Sequence, residues 1–387
     1  MQHNADSRAI GQAEGRLGVY IHFPWCRKLC PYCDFAVEVG AIEHERYLEA
    51  VLVELAHRAP QFSGELVSVY FGGGTPSLWR PSCIESAVAE VTRAFGAVGR
   101  APVLEVTLEA NPTDCTQSNL AAWQEAGVNR LSIGIQSVAA DELAVLGRDH
   151  RFGDGPEALA RTLASGEFIT SCDFILGTPT ATETSARPDI GWLDQIANTA
   201  VDHLSVYELT IEDRTIFGKR ARAGSLIPLH EDILADLYVL AHERLTSAGF
   251  EHYEVSSYAR PGKRAVHNAL YWSATPFLGL GVGAASLAVS ADGSGVRATN
   301  PRRVVHYLAQ PGVPAEVVAV SPTQMQADRA WLGMRTIDGV AESDLPDPVC
   351  RWLIDTNLAQ RRGSRICPTL RGFMMADRIA ARIAEAM

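Results

Sequence analysis

The sequence predicts an α/β fold: a partial (β/α)6 TIM-like barrel carrying a C-terminal extension and a small helical domain of winged-helix flavour. Six short runs rich in β-forming residues recur between residues 17 and 250. Stretches with apolar residues at helical spacing lie between them. Strict strand–helix alternation implies parallel pairing through right-handed crossovers. A closed eight-fold barrel needs two more units than the sequence supplies, so six fit better; a doubly wound open sheet is also compatible with the alternation.

Taken in order, the candidate strands are Leu17–Phe23, Leu66–Phe71, Val103–Leu108, Arg130–Ile135, Thr170–Leu176 and His203–Leu209. The helical stretches between them are Glu43–Ala59, Pro81–Phe95, Gln117–Ala126, Asp141–Leu146 with Pro156–Ala164, Ile190–Ala200 and Glu231–Ala248. Glu43–Ala59 is the clearest, with Tyr47, Leu48, Val51, Leu52 and Leu55 on one stripe. After residue 250 the rhythm breaks, and Gly, Pro and short strand-like pieces dominate as far as Asn300. Helices return at Gln324–Met334 and Pro348–Leu358, then a strand–turn piece at Ala359–Thr369 and a last helix, Gly372–Met387. The expected units are a polar tail (1–16), the barrel (17–250), an extension (251–310) and a C-terminal helical domain (311–387).

The chain has 387 residues, 47% hydrophobic and 20% charged, which excludes a disordered, collagen-like or small disulfide-stapled protein. Lys plus Arg number 34 and Asp plus Glu 45, a net charge of −11. That balance argues against a sequence-independent grip on nucleic acid. Met1–Gly15 is polar and lacks the apolar core of a signal peptide. The uncharged stretch Tyr271–Ala291 is long enough to raise a membrane span. Pro276, Gly279, Gly281 and Gly283 favour a buried strand with a tight backbone turn instead. Eight cysteines without a framework of short even spacings point to a reducing, cytoplasmic setting, where a tight cysteine group more often holds metal.

Such a group is present. Cys26, Cys30 and Cys33 follow the first strand in CRKLCPYCDF, spaced Cys-x3-Cys-x2-Cys. Three thiolates on one loop can converge on a soft metal centre. On ligand chemistry alone, structural zinc completed by His22 and an iron–sulfur cluster are both open. Polar residues then stand at successive strand ends: Glu109 in LEANP, Gln136 in SIGIQS with Arg148 in LGRDH, and Asp173 in CDFILGTP. They would ring one mouth of the barrel, as a polar cofactor requires. The glycine-rich Gly72–Thr75 turn ends the second strand, where backbone groups can approach a ligand closely.

The cysteine spacing behind YIHFPWC resembles the radical S-adenosylmethionine (SAM) superfamily. Over nearly the whole chain the strings are similar to the oxygen-independent coproporphyrinogen III oxidase family and its HemW branch. The resemblance implies a radical SAM barrel with a [4Fe–4S] cluster on Cys26, Cys30 and Cys33, whose open iron binds SAM. It implies SAM contacts at Tyr20, Tyr32, Gly73, Gly74, Thr75, Glu109, Gln136, Arg148 and Asp173, with Thr210 and Ala285 as outer contacts. The oxidase branch has a further cysteine where this chain has Phe35, and a longer N-terminal extension, so the resemblance favours HemW. That branch implies a haem chaperone, and HNALYW implies haem contacts at His267, Tyr271 and Trp272. Expected partners are haem, haem-requiring membrane enzymes as recipients, and an electron donor for the cluster, with neither nucleic acid nor a membrane span. A coproporphyrinogen oxidase, or a methyltransferase or cyclopropanase of the same group, is the alternative activity. The GTPTAT turn and Ala285 in GLGVGAAS depart from the family pattern and leave room for a specialised substrate.

Overall fold

A computed structural model describes residues 15–96, 104–179 and 188–387. Residues 1–14 of the expected tail, Val103 and the end of the GTPTAT turn lie outside these residues, and Arg16, the tail's last residue, already belongs to the first strand. Six parallel strands run β1 (Arg16–Phe23), β2 (Glu65–Gly73), β3 (Glu105–Ala110), β4 (Arg130–Gln136), β5 (Ile169–Leu176) and β6 (His203–Glu208). Between them lie α1 (His44–Arg58), α2 (Pro81–Phe95), α3 (Gln117–Glu125), α4 (Ala140–Val145), α5 (Asp154–Ser165) and α6 (Trp192–Ala197), with α7 (Ile216–Arg222) and α8 (Glu231–Ser247) after β6. Strands β1 to β6 are neighbours in chain order. That decides for barrel winding, because a doubly wound sheet reverses its strand order at a switch point. Pro81 at the first helical position and Gly96 at φ +65° explain why α2 keeps its predicted limits. The short α7 carried too little periodicity to be foreseen.

The extension contributes β7 (Glu251–Glu254), β8 (Ser257–Ala259), α9 (Val266–Trp272), β9 (Phe277–Gly281), β10 (Ala285–Val289), β11 (Gly295–Thr299) and α10 (Val304–Ala309). With β12 (Glu316–Val320), all its strands join the barrel sheet in the order β12-β11-β10-β9-β1-β2-β3-β4-β5-β6-β8-β7. Strand β9 lies parallel to β1, pairing Val19 with Leu278, and so adds a seventh parallel strand. Its FLGLG sequence hid it, since glycine weakens the strand signal. The glycines are needed there: a Cβ on Gly281, at φ +94°, would lie 2.5 Å from the His22 carbonyl oxygen. The uncharged stretch thus folds as the end of α9 and two short strands. Among the described residues no helix is long and apolar enough to cross a membrane.

A buried carboxylate holds this seventh strand. Glu54 of α1 is fully buried and accepts hydrogen bonds from Gly281 N–H (2.8 Å), the Asn300 amide (2.7 Å) and the Tyr307 hydroxyl (2.8 Å), with Arg58 3.3 Å away. Removing one side of such a group leaves the other donors buried and unpaired. Glu54→Ala is expected to destabilise the fold by about 3–5 kcal/mol in a denaturant titration.

The C-terminal residues build a separate core. Helices α11 (Pro322–Gly333), α12 (Asp347–Asp355), α13 (Leu370–Met374) and α14 (Ala376–Ala386) accompany the three-stranded sheet of β13 (Val340–Ala341), β14 (Ala359–Arg362) and β15 (Arg365–Pro368). Leu353, Ile366, Ile379 and Ile383 sit at its centre. The β14–β15 hairpin after α12 supplies the wing of the expected winged-helix flavour. The single last helix predicted from Gly372 is instead two helices, separated at Met375, whose φ −109° and ψ 23° leave the helical region.

Candidate functional site at the barrel mouth

The loop that leaves β1 folds back on itself. Cys26 N–H donates to the Glu38 carbonyl at 3.0 Å, and Glu38 N–H donates to Pro24 at 2.7 Å. This pins both ends of the segment that carries Cys26, Cys30 and Cys33. All three are half-buried free thiols and line one cavity of about 360 Å³. Burial pushes the Cys26 thiol up to about 11, so a thiolate there needs a cationic centre.

His22 does not complete a zinc site. Its Nδ1 lies 3.0 Å from the Tyr20 hydroxyl and its Nε2 2.9 Å from the Ala36 carbonyl, so both ring nitrogens are engaged. Among the described residues no group of His, Cys, Asp and Glu gathers as a single-ion site. A cluster spreads its thiolates over separate irons instead of around one point. The donor set therefore fits the three-cysteine iron–sulfur arrangement better than a Cys3His zinc.

The glycine turn at the end of β2 is zipped onto this loop. Gly74 N–H donates to the Phe23 carbonyl at 2.7 Å and Thr75 N–H to Trp25 at 2.9 Å. Gly73 has φ +112°, and a Cβ there would meet the His22 ring at 2.5 Å, so the position admits only glycine without strain.

Glu109 faces the turn from the end of β3. Its Oε2 accepts from Gly73 N–H at 3.1 Å and its Oε1 from the Tyr70 hydroxyl at 2.8 Å. Burial, with a smaller push from Asp173, raises its carboxyl to about 7. Gln136 closes β4 at φ +66°, a strained backbone for a non-glycine residue, at the point where the register with β5 shifts. Arg148 donates to the Gly134 carbonyl at 3.0 Å and places Nη1 3.7 Å from Cys30 Sγ, while its buried Nε has no partner. Asp173 accepts from Ser132 Oγ at 2.9 Å, and burial raises its carboxyl.

The cavity thus gathers the cysteines with Tyr32, Gly73, Gly74, Thr75, Glu109, Gln136, Arg148 and Asp173. Tyr20 and Ala285 line a neighbouring space of about 490 Å³ on the other side of the cysteine loop, which shares Tyr32, Cys33 and Phe35 with the first. Thr210 is exposed and lines neither. Arg27, Ser132, Asn111, Asp149 and Tyr207 also line the main cavity and were missed. Asn111 and Asp149 sat inside the strings LEANP and LGRDH, each beside a selected residue; nothing in the sequence marked Tyr207. A buried guanidinium donor without a partner, a carboxyl half-ready to ionise and a glycine turn offering backbone groups together suit SAM, with its carboxylate and ammonium.

The haem motif is arranged differently. His267 is 1% exposed; its Nδ1 lies 2.9 Å from Ser68 Oγ and its Nε2 2.8 Å from the Tyr271 hydroxyl. Burial lowers the imidazole to about 3, so it is neutral. Both ring nitrogens of His267 therefore already have partners in this conformation. Trp272 points elsewhere: its indole N–H is buried without a partner, and it lines a separate cavity of about 880 Å³ between the barrel and the C-terminal helices.

Comparison with known proteins agrees with this geometry. Residues 20–207 match the radical SAM superfamily. Heme chaperone HemW of Synechocystis is 35% identical over 84% of this chain and 80% of its own length. Heme chaperone HemW of Escherichia coli is 38% identical over 74% of each chain. Among solved structures, the radical SAM coproporphyrinogen III oxidase of Escherichia coli superposes with a TM-score of 0.74 over 97% of this chain and 91% of its own. At 21% identity that likeness shows the fold alone. The chain belongs to the HemW branch of the oxygen-independent coproporphyrinogen oxidase-like family, within the radical SAM superfamily.

Proposed function

We propose that the protein is a haem chaperone: it holds a [4Fe–4S] cluster and SAM at the barrel mouth, binds haem, and passes it to haem-requiring membrane enzymes. The observation that carries this reading is the 35–38% identity to proteins named heme chaperone HemW over most of the chain. Phe35, 64% exposed, supports it against the oxidase reading, since the oxidase branch places a further cysteine there. Cys26, Cys30 and Cys33 hold the cluster, and an electron donor reduces it. Together the cluster and SAM supply reductive cleavage of the sulfonium when both are bound. Glu109 and the Gly73–Thr75 turn receive the amino group of SAM, while Arg148 offers its free Nε–H to the carboxylate. The work takes place in the cytoplasm. Residues 17–250 form the cofactor unit and 251–310 its extension, and 311–387 meet the recipient.

The test is anaerobic reconstitution with iron and sulfide, then iron counting, haem titration and haem transfer on one sample. About four irons per chain with tight haem binding and transfer is the expected result. Turnover of coproporphyrinogen without haem binding overturns it in favour of the oxidase. For haem to be ligated by His267 through Nε2, the hydrogen bond between that nitrogen and the Tyr271 hydroxyl must open. Tyr271→Phe removes that competitor and is expected to tighten haem severalfold, the worth of one hydrogen bond. Unchanged haem spectra in both Tyr271→Phe and His267→Ala would take the motif out of the haem site.

A further inference from the structure

Arg27 stands between the first two cysteines and is not itself a thiol ligand. Its guanidinium pairs with Asp114 and lies 4.0 Å from Asp149. Asp114 is buried and accepts from Ser77 Oγ at 2.7 Å. Ser77 Oγ in turn accepts from Asn111 N–H at 3.2 Å, and the Asn111 amide donates to Asp149 at 2.6 Å. These five residues, with Asn111 contributing both its backbone N–H and its side-chain amide, close a ring that draws on the segments following β1, β2, β3 and β4. Asp149 adjoins Arg148, which contacts Cys30.

Charge-assisted bonds to a buried carboxylate are strong and directional, so this ring couples the position of the cysteine loop to the opposite wall of the cavity. Other arginines near the site have other partners: Arg148 donates to the Gly134 carbonyl and approaches Cys30, and Arg302 holds the Asp34 carbonyl on the rim.

We infer that Arg27, with Asp114 and Asp149, is a positioning clamp that fixes where Cys26 and Cys30 sit and thereby sets how firmly the cluster is retained. This rests on the reading of the cysteine triplet as a [4Fe–4S] site. Arg27 borders the cavity, but in this role it acts through the loop it belongs to. Its side chain is 45% exposed, and the buried Asp114 keeps its Ser77 partner when Arg27 is replaced.

The experiment uses full-length protein, reconstituted anaerobically and then challenged with an iron chelator. Iron release and the fading of cluster absorbance are followed in the wild type, Arg27→Gln, Arg27→Lys and Arg297→Gln. The last is a matched control: Arg297, 44% exposed, pairs with the largely buried Asp328, and neither lines a cavity that the cysteines line. Arg27→Gln is expected to release iron about tenfold faster, the loss of one charge-assisted bond. Arg27→Lys is expected to recover part of the retention and Arg297→Gln to match the wild type. Equal release from wild type and Arg27→Gln overturns the clamp, as does equal acceleration in Arg297→Gln, which would mark general loosening. A wild type that takes up no iron overturns the cluster reading itself, and the clamp with it.

Discussion

Cys30→Ala, reconstituted anaerobically beside the wild type, is expected to carry no stable iron–sulfur cluster where the wild type carries about four irons per chain. With three thiolates on one loop and His22 held by Tyr20 and Ala36, no further thiol or free imidazole among the described residues lines the cavity to substitute. Loss of any of the three should therefore be close to total, not graded. Cys83, Cys115 and Cys172 are buried in the barrel, so Cys172→Ala should leave iron content unchanged and serves as the contrast. Iron and sulfide analysis with the visible spectrum reads both. Full iron content in Cys30→Ala would remove the triplet from its assigned role.

The second large effect centres on Glu109. Its carboxyl is raised from the usual range to about 7 by burial, so it is largely protonated at pH 6 and ionised at pH 8. A cationic amino group favours the ionised form, so SAM binding is expected to strengthen as pH rises through 7. For the unliganded fold the sign is opposite. A group whose folded value is raised stabilises fully below its unfolded value and loses that contribution as pH rises through the folded one. Between about pH 4.5 and 7 the free protein should thus lose stability, with Glu254, also raised to about 7 by burial, adding to the fall. Glu109→Gln removes the charge but keeps an acceptor for Tyr70. It is expected to weaken SAM by about ten- to a hundredfold, on the order of 1.5–3 kcal/mol for a charged hydrogen bond, and to abolish the pH dependence of binding. It should also flatten the stability curve. Calorimetric titration with SAM at pH 6 and pH 8 measures the first pair, and thermal melts over the same range the last; a flat binding profile in the wild type would refute the assignment.

Much of this site could be read from the chain because strand ends in a parallel barrel carry their function as short local strings. LEANP, SIGIQS and CDFIL carry Glu109, Gln136 and Asp173, and all three reach the cavity wall, although Asp173 lies within β5 and not at its end. What escaped reading depends on contacts distant in sequence. Tyr207 looks like any strand residue, yet β6 turns it to the cavity. Ala285 and Tyr20 belong to a second space because β9 sets the turn after it against the far side of the cysteine loop. His267 shows the converse: a motif legible as letters lies closed by Ser68 and Tyr271, partners that no local pattern reveals.

The pairing of β9 with β1 also governs how the molecule can be made. Strand β1 keeps one edge open until residues Phe277–Gly281 have been synthesised. An unpaired edge in a nascent chain invites wrong partners, and contacts this distant in sequence form slowly. The loop bearing the cysteines hangs from that same strand. It acquires its final seat only after the distant strand arrives and Glu54 locks the turn. A chain truncated before Phe277 is accordingly expected to retain less iron on reconstitution than the full chain, because the strand that carries its cysteine loop keeps an open edge.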